Sequence, residues 1–392
     1  MRFQHGIRIW MGRWGWLSLL VWAGCGGFRI EDLAYSPKKW GFQGDGGLAG
    51  RYISASDAEP PFEPVWQYNM MAGLAEEPFT VHGRYLFVAN LRGEIHVLDA
   101  ETGQKIGYAA IGEALIGTPV VWHDLILVCN GNGKTGVSAY RYTQGQKAWT
   151  RKGSACETGL WVEHERVFYG GTDGELHAIR IADGVEEWAI DWADPDERPV
   201  GTPVSDGERL YLATETGRVL AISQDRGTIV WQVQTKLPVW QTLVVWKQQV
   251  FVPTMRGVLL ALNAETGTEN WRMDAKNEWL RLTTPAVREQ SLILGASNGQ
   301  IWRIRVADGA VEWTEKNDGA FLAPPLWAEK NVWFAGLDQN LRQINAETGA
   351  EIHRIALKGR AKSVPLVVQN RILVGMEPTW IVAYGNRSTA KK

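Results

Sequence analysis

The sequence predicts an all-β fold, an eight-bladed β-propeller of four-stranded antiparallel blades whose last blade is closed by an N-terminal strand. Three observations carry this reading. One turn phrase returns along the chain as AETGQKIG, TQGQKAW, ADGVEEW, DRGTIVW, ETGTENW, ADGAVEW and ETGAEIH. Its turn glycines, Gly103, Gly145, Gly184, Gly227, Gly267, Gly309 and Gly349, are separated by 42, 39, 43, 40, 42 and 40 residues. Such a period, built from short apolar runs and Gly turns, suits one four-stranded blade per repeat. Four residues after the glycine stands Trp149, Trp188, Trp231, Trp271 or Trp313, with Gly107 and His353 as exceptions. Finally, the two ends complete each other. The run SVPLVVQNRILVGMEPTWIVAYG supplies three strands, and Glu63-Pro64-Val65-Trp66-Gln67-Tyr68 supplies an outer strand with its own Trp. Pairing them leaves no open sheet edge.

Taken in order, residues 1–24 carry Arg2, Arg8 and Arg13 and then an apolar stretch from Trp14 to Ala23, too short to span a bilayer as a helix. This reads as an export signal. Residues 25–60 are rich in Gly, Pro and charge without a sustained period, and read as a tether followed by a capping arm. The blades occupy 61–385, and 386–392 form a tail. A typical blade is GTPVSDGERLYLATETGRVLAISQDRGTIVWQVQ. It gives a Pro-led strand, a hairpin turn at Asp206-Gly207, an apolar strand, a tight turn at Gly217, an alternating strand, a turn at Gly227 and a strand carrying Trp231. The alternation in Val219-Leu220-Ala221-Ile222 sets one row of side chains against each neighbouring blade. The Trp column, with Trp66, Trp149, Trp188, Trp231, Trp271 and Trp313, is read as structural, each ring filling the wedge that opens between blades away from the axis.

The chain has 392 residues, 45% of them apolar, and a formal charge of -2. It can bury a large core as one ring, and it offers no basic field to hold a nucleic acid. Of the three cysteines, Cys129 sits in a column otherwise filled by Ala89, Gly170, Ala213, Pro253, Gly295 and Ala335. That column favours a buried free thiol; a disulfide to Cys156 stays open in an oxidising compartment. Asn90, Asn130 and Asp173 stand near inner turns, where backbone reasons alone favour them. His123 and His164 share a hairpin-turn column, and no metal-ligand spacing emerges. No GxxxxGK loop occurs.

The signal ends in Leu20-Val21-Trp22-Ala23-Gly24-Cys25, and the small pair before the cysteine resembles the lipobox of bacterial lipoproteins. That resemblance implies acylation of Cys25, with Trp22 standing where the motif usually has Leu. The plainer alternative is an ordinary cleaved signal beside an unpaired Cys. Residues 61–385 resemble the PQQ-like β-propeller repeat family through the phrase Ala-hydrophobic-x-x-x-x-Gly-x-x-x-Trp at Ala221 to Trp231 and Ala261 to Trp271. The lead-in Trp40-Gly41-Phe42-Gln43-Gly44-Asp45 is similar to that of many bacterial members. Within the family, an exported lipoprotein of this size with no appended domain is similar to the scaffold of outer-membrane β-barrel assembly.

The resemblance implies a non-enzymatic envelope lipoprotein, membrane-bound through its lipid only and sorted to the outer membrane facing the periplasm, that takes a protein partner through its inter-blade loops and needs no cofactor. Its partner loop carries an Arg five residues before the Pro that opens a blade, a spacing matched by Arg198 and Pro203 in DERPVGTP. The accompanying leucines are replaced by Asp196 and Glu197, and acidic residues before the next blade by Leu237, Pro238, Val239 and Trp240. Arg198, Leu237 and Trp240 are the candidate partner-binding residues. Two other readings stay open, a PQQ-dependent quinoprotein dehydrogenase and a propeller that senses a small molecule or glycan. The dehydrogenases generally carry a vicinal Cys pair, absent here, and need Ca²⁺ held by oxygens near the axis.

Overall fold

The computed structural model of the chain describes residues 28–30, 53–54, 56–111, 113–191, 197–361 and 363–386. Cys25, the export signal and most of the arm lie outside them. Among the described residues every regular element is a strand, and the strands form eight antiparallel sheets of four, one of which carries a fifth, parallel strand. They follow one another as blades 1 to 8 at 74–110, 115–152, 161–191, 199–234, 244–274, 286–316, 326–356 and 366–385. Blade 8 has three strands of its own. Its outermost strand is Glu63–Asn69, which pairs with Trp380–Gly385 and sets Trp66 opposite Ala383. The end-closed, eight-bladed ring read from the repeats is the observed fold.

Burial follows position in the blade. Second strands such as Tyr85–Asn90 and Leu125–Asn130 are buried along their whole length, because neighbouring blades cover both faces. Outer strands such as Glu186–Asp191 and Ile229–Gln234 alternate between half-buried and exposed positions, since one row of side chains meets water.

The repeated phrase has a specific mechanical meaning. A bulge immediately before each recurring Trp shifts the outer strand by one residue, as between Ala178/Ile179 and Ala221/Ile222 of the paired strands. The bulge re-aims the ring toward the next blade. There it lies flat on the later turn glycine: Trp66 on Gly103, Trp149 on Gly184, Trp188 on Gly227, Trp231 on Gly267, Trp271 on Gly309 and Trp313 on Gly349. These glycines have φ between +62° and +75°, and a Cβ on any of them would collide with the indole. The indole N–H of Trp149, Trp231, Trp271 and Trp313 then donates at 2.9–3.0 Å to the carbonyl three residues before the glycine.

Where the column lacks its Trp, the N-terminal arm supplies an aromatic ring. Phe28 packs on Gly107 and its carbonyl covers Gly145, at the junction of blades 1 and 2. Phe62 packs edge-on against His353 and Trp333 at blade 7, with ring centroids 5.3 and 5.2 Å apart. Between them Ile53–Ser54 adds in parallel to the inner edge of blade 7, at Leu326–Ala328. Asp57 fastens this stretch, its carboxylate accepting from Asn331 Nδ2 at 2.8 Å, Trp333 Nε1 at 2.6 Å and Gln343 Nε2 at 2.9 Å.

The cysteines correct the sequence reading. Cys129 and Cys156 form a disulfide, with Cα atoms 5.7 Å apart. The strand register places Cys129 at the end of a blade 2 strand, and Cys156 bridges to Gly171 of blade 3 in the loop directly beside it. The small-residue column accounts for the burial of Cys129 but not for this neighbour, which comes from the next blade.

Candidate partner-binding face

The ring has two unlike faces. One carries the turns between first and second strands and between third and fourth strands, together with the described arm residues. The other carries the tight turns between second and third strands and the loops that lead from one blade into the next. This second, loop face holds a central depression made of two adjoining cavities of about 380 and 660 Å³, which share Leu74, Ala75 and Leu91.

Large apolar side chains are exposed around that depression. Met71 is 70% exposed, Leu91 47%, Trp240 54% and Trp279 90%, and all four stand on turns or loops of the loop face. The other exposed large apolar residues among those described lie on outer strands or the turns beside them, such as Ile106, Val230 and Ile352. The backbone makes these exposures deliberate. Val239 is fully buried and bridges Thr254, and Met255 N–H donates to Pro238 O at 2.9 Å, so the chain is pinned on either side while Trp240 projects. Likewise the Trp279 N–H is taken by Asn277 Oδ1 at 3.1 Å and the next residue, Leu280, is buried. The Arg281 guanidinium lies 5.9 Å from the centroid of the Trp240 ring, a cation–π distance that ties the two aromatic loops together.

Of the residues singled out by sequence, Arg198 and Trp240 come to the same depression. Trp240 and Glu157 both line the smaller cavity, and Arg198 Nη1 approaches Glu157 Oε1 at 3.9 Å with a largely exposed side chain. Leu237 does not join them. It is half-buried against the core between blades 4 and 5, because the turn carbonyl of Leu237 is held by Thr235 Oγ1. Glu197, one of the two acidic residues that stand in place of the family's leucines, is buried. It takes Arg218 Nε at 2.9 Å and Thr216 Oγ1 at 2.7 Å, fixing the segment that presents Arg198. Residues 192–196 of that loop lie outside the described residues. Trp279 escaped the sequence reading, although a Trp in the polar run DAKNEWLRL, outside the blade-wedge column, was a usable signal.

The fold invites a test for a quinone with Ca²⁺. Asn90 spends its side chain on its own turn, donating to Glu94 and accepting from the Arg92 and Glu94 amides. Asn130 donates to Gly136 O and Ser138 Oγ. Asp173 belongs to a cluster with Glu175 and His177 in which both His177 nitrogens are engaged, Nε2 with Asp173 at 3.2 Å and Nδ1 with Glu186 at 2.9 Å. Burial pulls the His177 pKa down, but these carboxylates outweigh it and raise it above the ordinary value. The Asn90 and Asp173 oxygens are thus engaged within their own blades, while Asn130 Oδ1 is buried without a hydrogen-bond partner.

Known proteins resemble this chain in sequence and in fold. The family model described as outer membrane protein assembly factor BamB matches residues 110–190 and 186–321. An outer membrane protein assembly factor BamB from Moranella endobia (strain PCIT) is 26% identical over 166 residues, 40% of this chain and 43% of that one. The Yersinia pestis counterpart is 26% identical over 336 residues, 77% of this chain and 80% of that one. The chain thus spans less than two thirds of the length of the Moranella relative. Among solved structures, BamB from Moraxella catarrhalis superposes with a TM-score of 0.66 at 15% identity, covering 84% of this chain and 98% of that one. The quinohemoprotein alcohol dehydrogenase ADHIIG from Pseudomonas putida HK5 superposes at 0.69 and 13% identity, covering 84% and 77%. At such identities the superpositions show the fold alone.

Proposed function

The chain belongs to the family of outer membrane protein assembly factor BamB, and from that premise we propose that it is a non-enzymatic scaffold of the bacterial cell envelope, lipid-anchored through Cys25 after removal of residues 1–24. Its partner is an envelope protein of the outer-membrane barrel-assembly machinery, bound on the loop face. One observation carries this reading. Trp240, Trp279, Leu91 and Met71 expose apolar area together on one face, beside the charged pair Arg198 and Glu157. Aromatic anchors within a polar rim are the composition of a binding hot spot. A ring whose blades are fixed by wedges presents such loops with little ordering cost.

The test is co-purification from crosslinked envelopes. Arg198→Glu combined with Trp240→Ala is expected to abolish recovery of barrel-assembly proteins, and Trp279→Ala to weaken it on its own. Both variants should keep folding stability within about 1 kcal/mol, as for surface changes. Full recovery with the double variant places the partner elsewhere on the ring. The dehydrogenase reading rests on shared fold. Adding the quinone and Ca²⁺ to purified protein is expected to give no tight complex and no dye-linked oxidation of alcohols or sugars, and turnover would reinstate it.

A further inference from the structure

Phe28 and Ile30 are buried, at 6% and 3% exposure, although Phe28 follows Cys25 by only three residues. The docking is specific. Phe28 N–H donates to Tyr140 Oη at 2.8 Å, Tyr140 Oη donates back to Phe28 O at 2.8 Å, and Ile30 N–H donates to Tyr142 O at 3.0 Å. The Phe28 ring lies 4.9 Å from that of Tyr140 and fills the blade 1 position that lacks a Trp. Tyr142 in turn donates to His123 O at 2.6 Å, on the turn between the first two strands of blade 2. The docking point therefore lies on the face opposite the loop face. A chain of three residues spans at most about 11 Å when fully extended.

We propose that the arm-bearing face, at the junction of blades 1 and 2, is seated against the lipid surface that holds the Cys25 acyl chains, with the loop face turned away from it. The inference rests on the reading of Cys25 as the lipidated residue. It makes residues 28–30 a short leash that fixes orientation, where the composition of 25–60 suggests a free tether. The aromatic loops around the depression then point into the aqueous space, open to a partner.

The test uses the full acylated chain, reconstituted in phosphatidylethanolamine and phosphatidylglycerol vesicles that carry a nitroxide on the lipid headgroup. A thiol-reactive fluorophore is placed on Gln144→Cys or on Lys134→Cys, exposed positions on opposite faces of blade 2. The disulfide Cys129–Cys156 does not react. The label at 144 is expected to be quenched several-fold more than the label at 134. Equal or reversed quenching in protein that stays on the vesicles through a high-salt wash overturns the orientation and leaves the anchor standing. Protein that fails to sediment with the vesicles overturns both. Inserting twelve Gly/Ser residues between Gly27 and Phe28 is expected to leave the protein bound while equalising the labels, and persistent asymmetry would rule out the leash as its cause.

Discussion

Trp66 and Trp231 occupy equivalent wedges, yet they differ in one hydrogen bond. The Trp231 indole donates to Ala264 O at 2.9 Å, whereas Trp66 Nε1 is buried without a partner. Replacing either by Ala removes a large ring from a glycine floor that cannot close the gap, a cost of about 3 to 5 kcal/mol. Trp66→Ala should cost about 1 kcal/mol less than Trp231→Ala, since it forfeits no satisfied donor. Urea midpoints of the two variants measure the difference, and an unchanged midpoint for Trp66→Ala would contradict ring closure through that residue. His177 makes a pH-dependent contribution. Its folded pKa lies above the ordinary 6.5. The stabilisation from Asp173 and Glu186 is therefore complete below about pH 6.5 and fades as pH rises through the folded value. His177→Gln should lower the melting temperature more at pH 6 than at pH 8.5. Burial instead lowers the pKa of His96, in the same column of blade 1, against the pull of Glu94, so its neutral form is the one the fold favours.

At the scale of the element, the disulfide joins the second strand of blade 2 to the loop that carries Glu157, the partner of Arg198. Its sequence separation of 27 residues corresponds to about 3 to 4 kcal/mol of stabilisation on the chain-entropy model. Cys129→Ser with Cys156→Ser should lose that much by urea unfolding and should also weaken partner recovery, because the loop is no longer clamped. A double variant as stable as the parent would mean that the blade contacts alone hold the loop. The pairing shows where reading by period stops. Turn glycines, Trp wedges and the split blade were legible because each follows from spacing along one blade. The arm's Phe28 and Phe62, the Cys129–Cys156 contact and the burial of Glu197 were not, because each depends on which residue a neighbouring element brings alongside. The exceptions Gly107 and His353 marked the gaps without saying what fills them. At the candidate site, Arg198 was singled out through the resemblance and Trp240 as part of the segment leading into the next blade, whereas the half-burial of Leu237 was not legible because it depends on how its segment turns inward at Val239.

At the scale of the molecule, attachment and shape are separable. Cys25→Ser should release the chain from the membrane fraction into the soluble one while leaving its thermal unfolding unchanged, because among the described residues the arm is already docked at Phe28 without the lipid. Retention after high-salt washing would exclude the lipid as the anchor.

The pairing of Glu63–Asn69 with Trp380–Gly385 also sets an order of events. A strand made early must wait for Trp380–Gly385, made more than 300 residues later, so any chain cut short before Trp380 keeps an open blade and an uncovered Trp66. Loop-closure entropy for that contact is met only when the whole ring is present. Completion is thus recorded in the structure itself: in a finished molecule Glu63–Asn69 is paired as the outer strand of blade 8, and an unfinished one displays that strand and an indole by which proteases and chaperones can distinguish it.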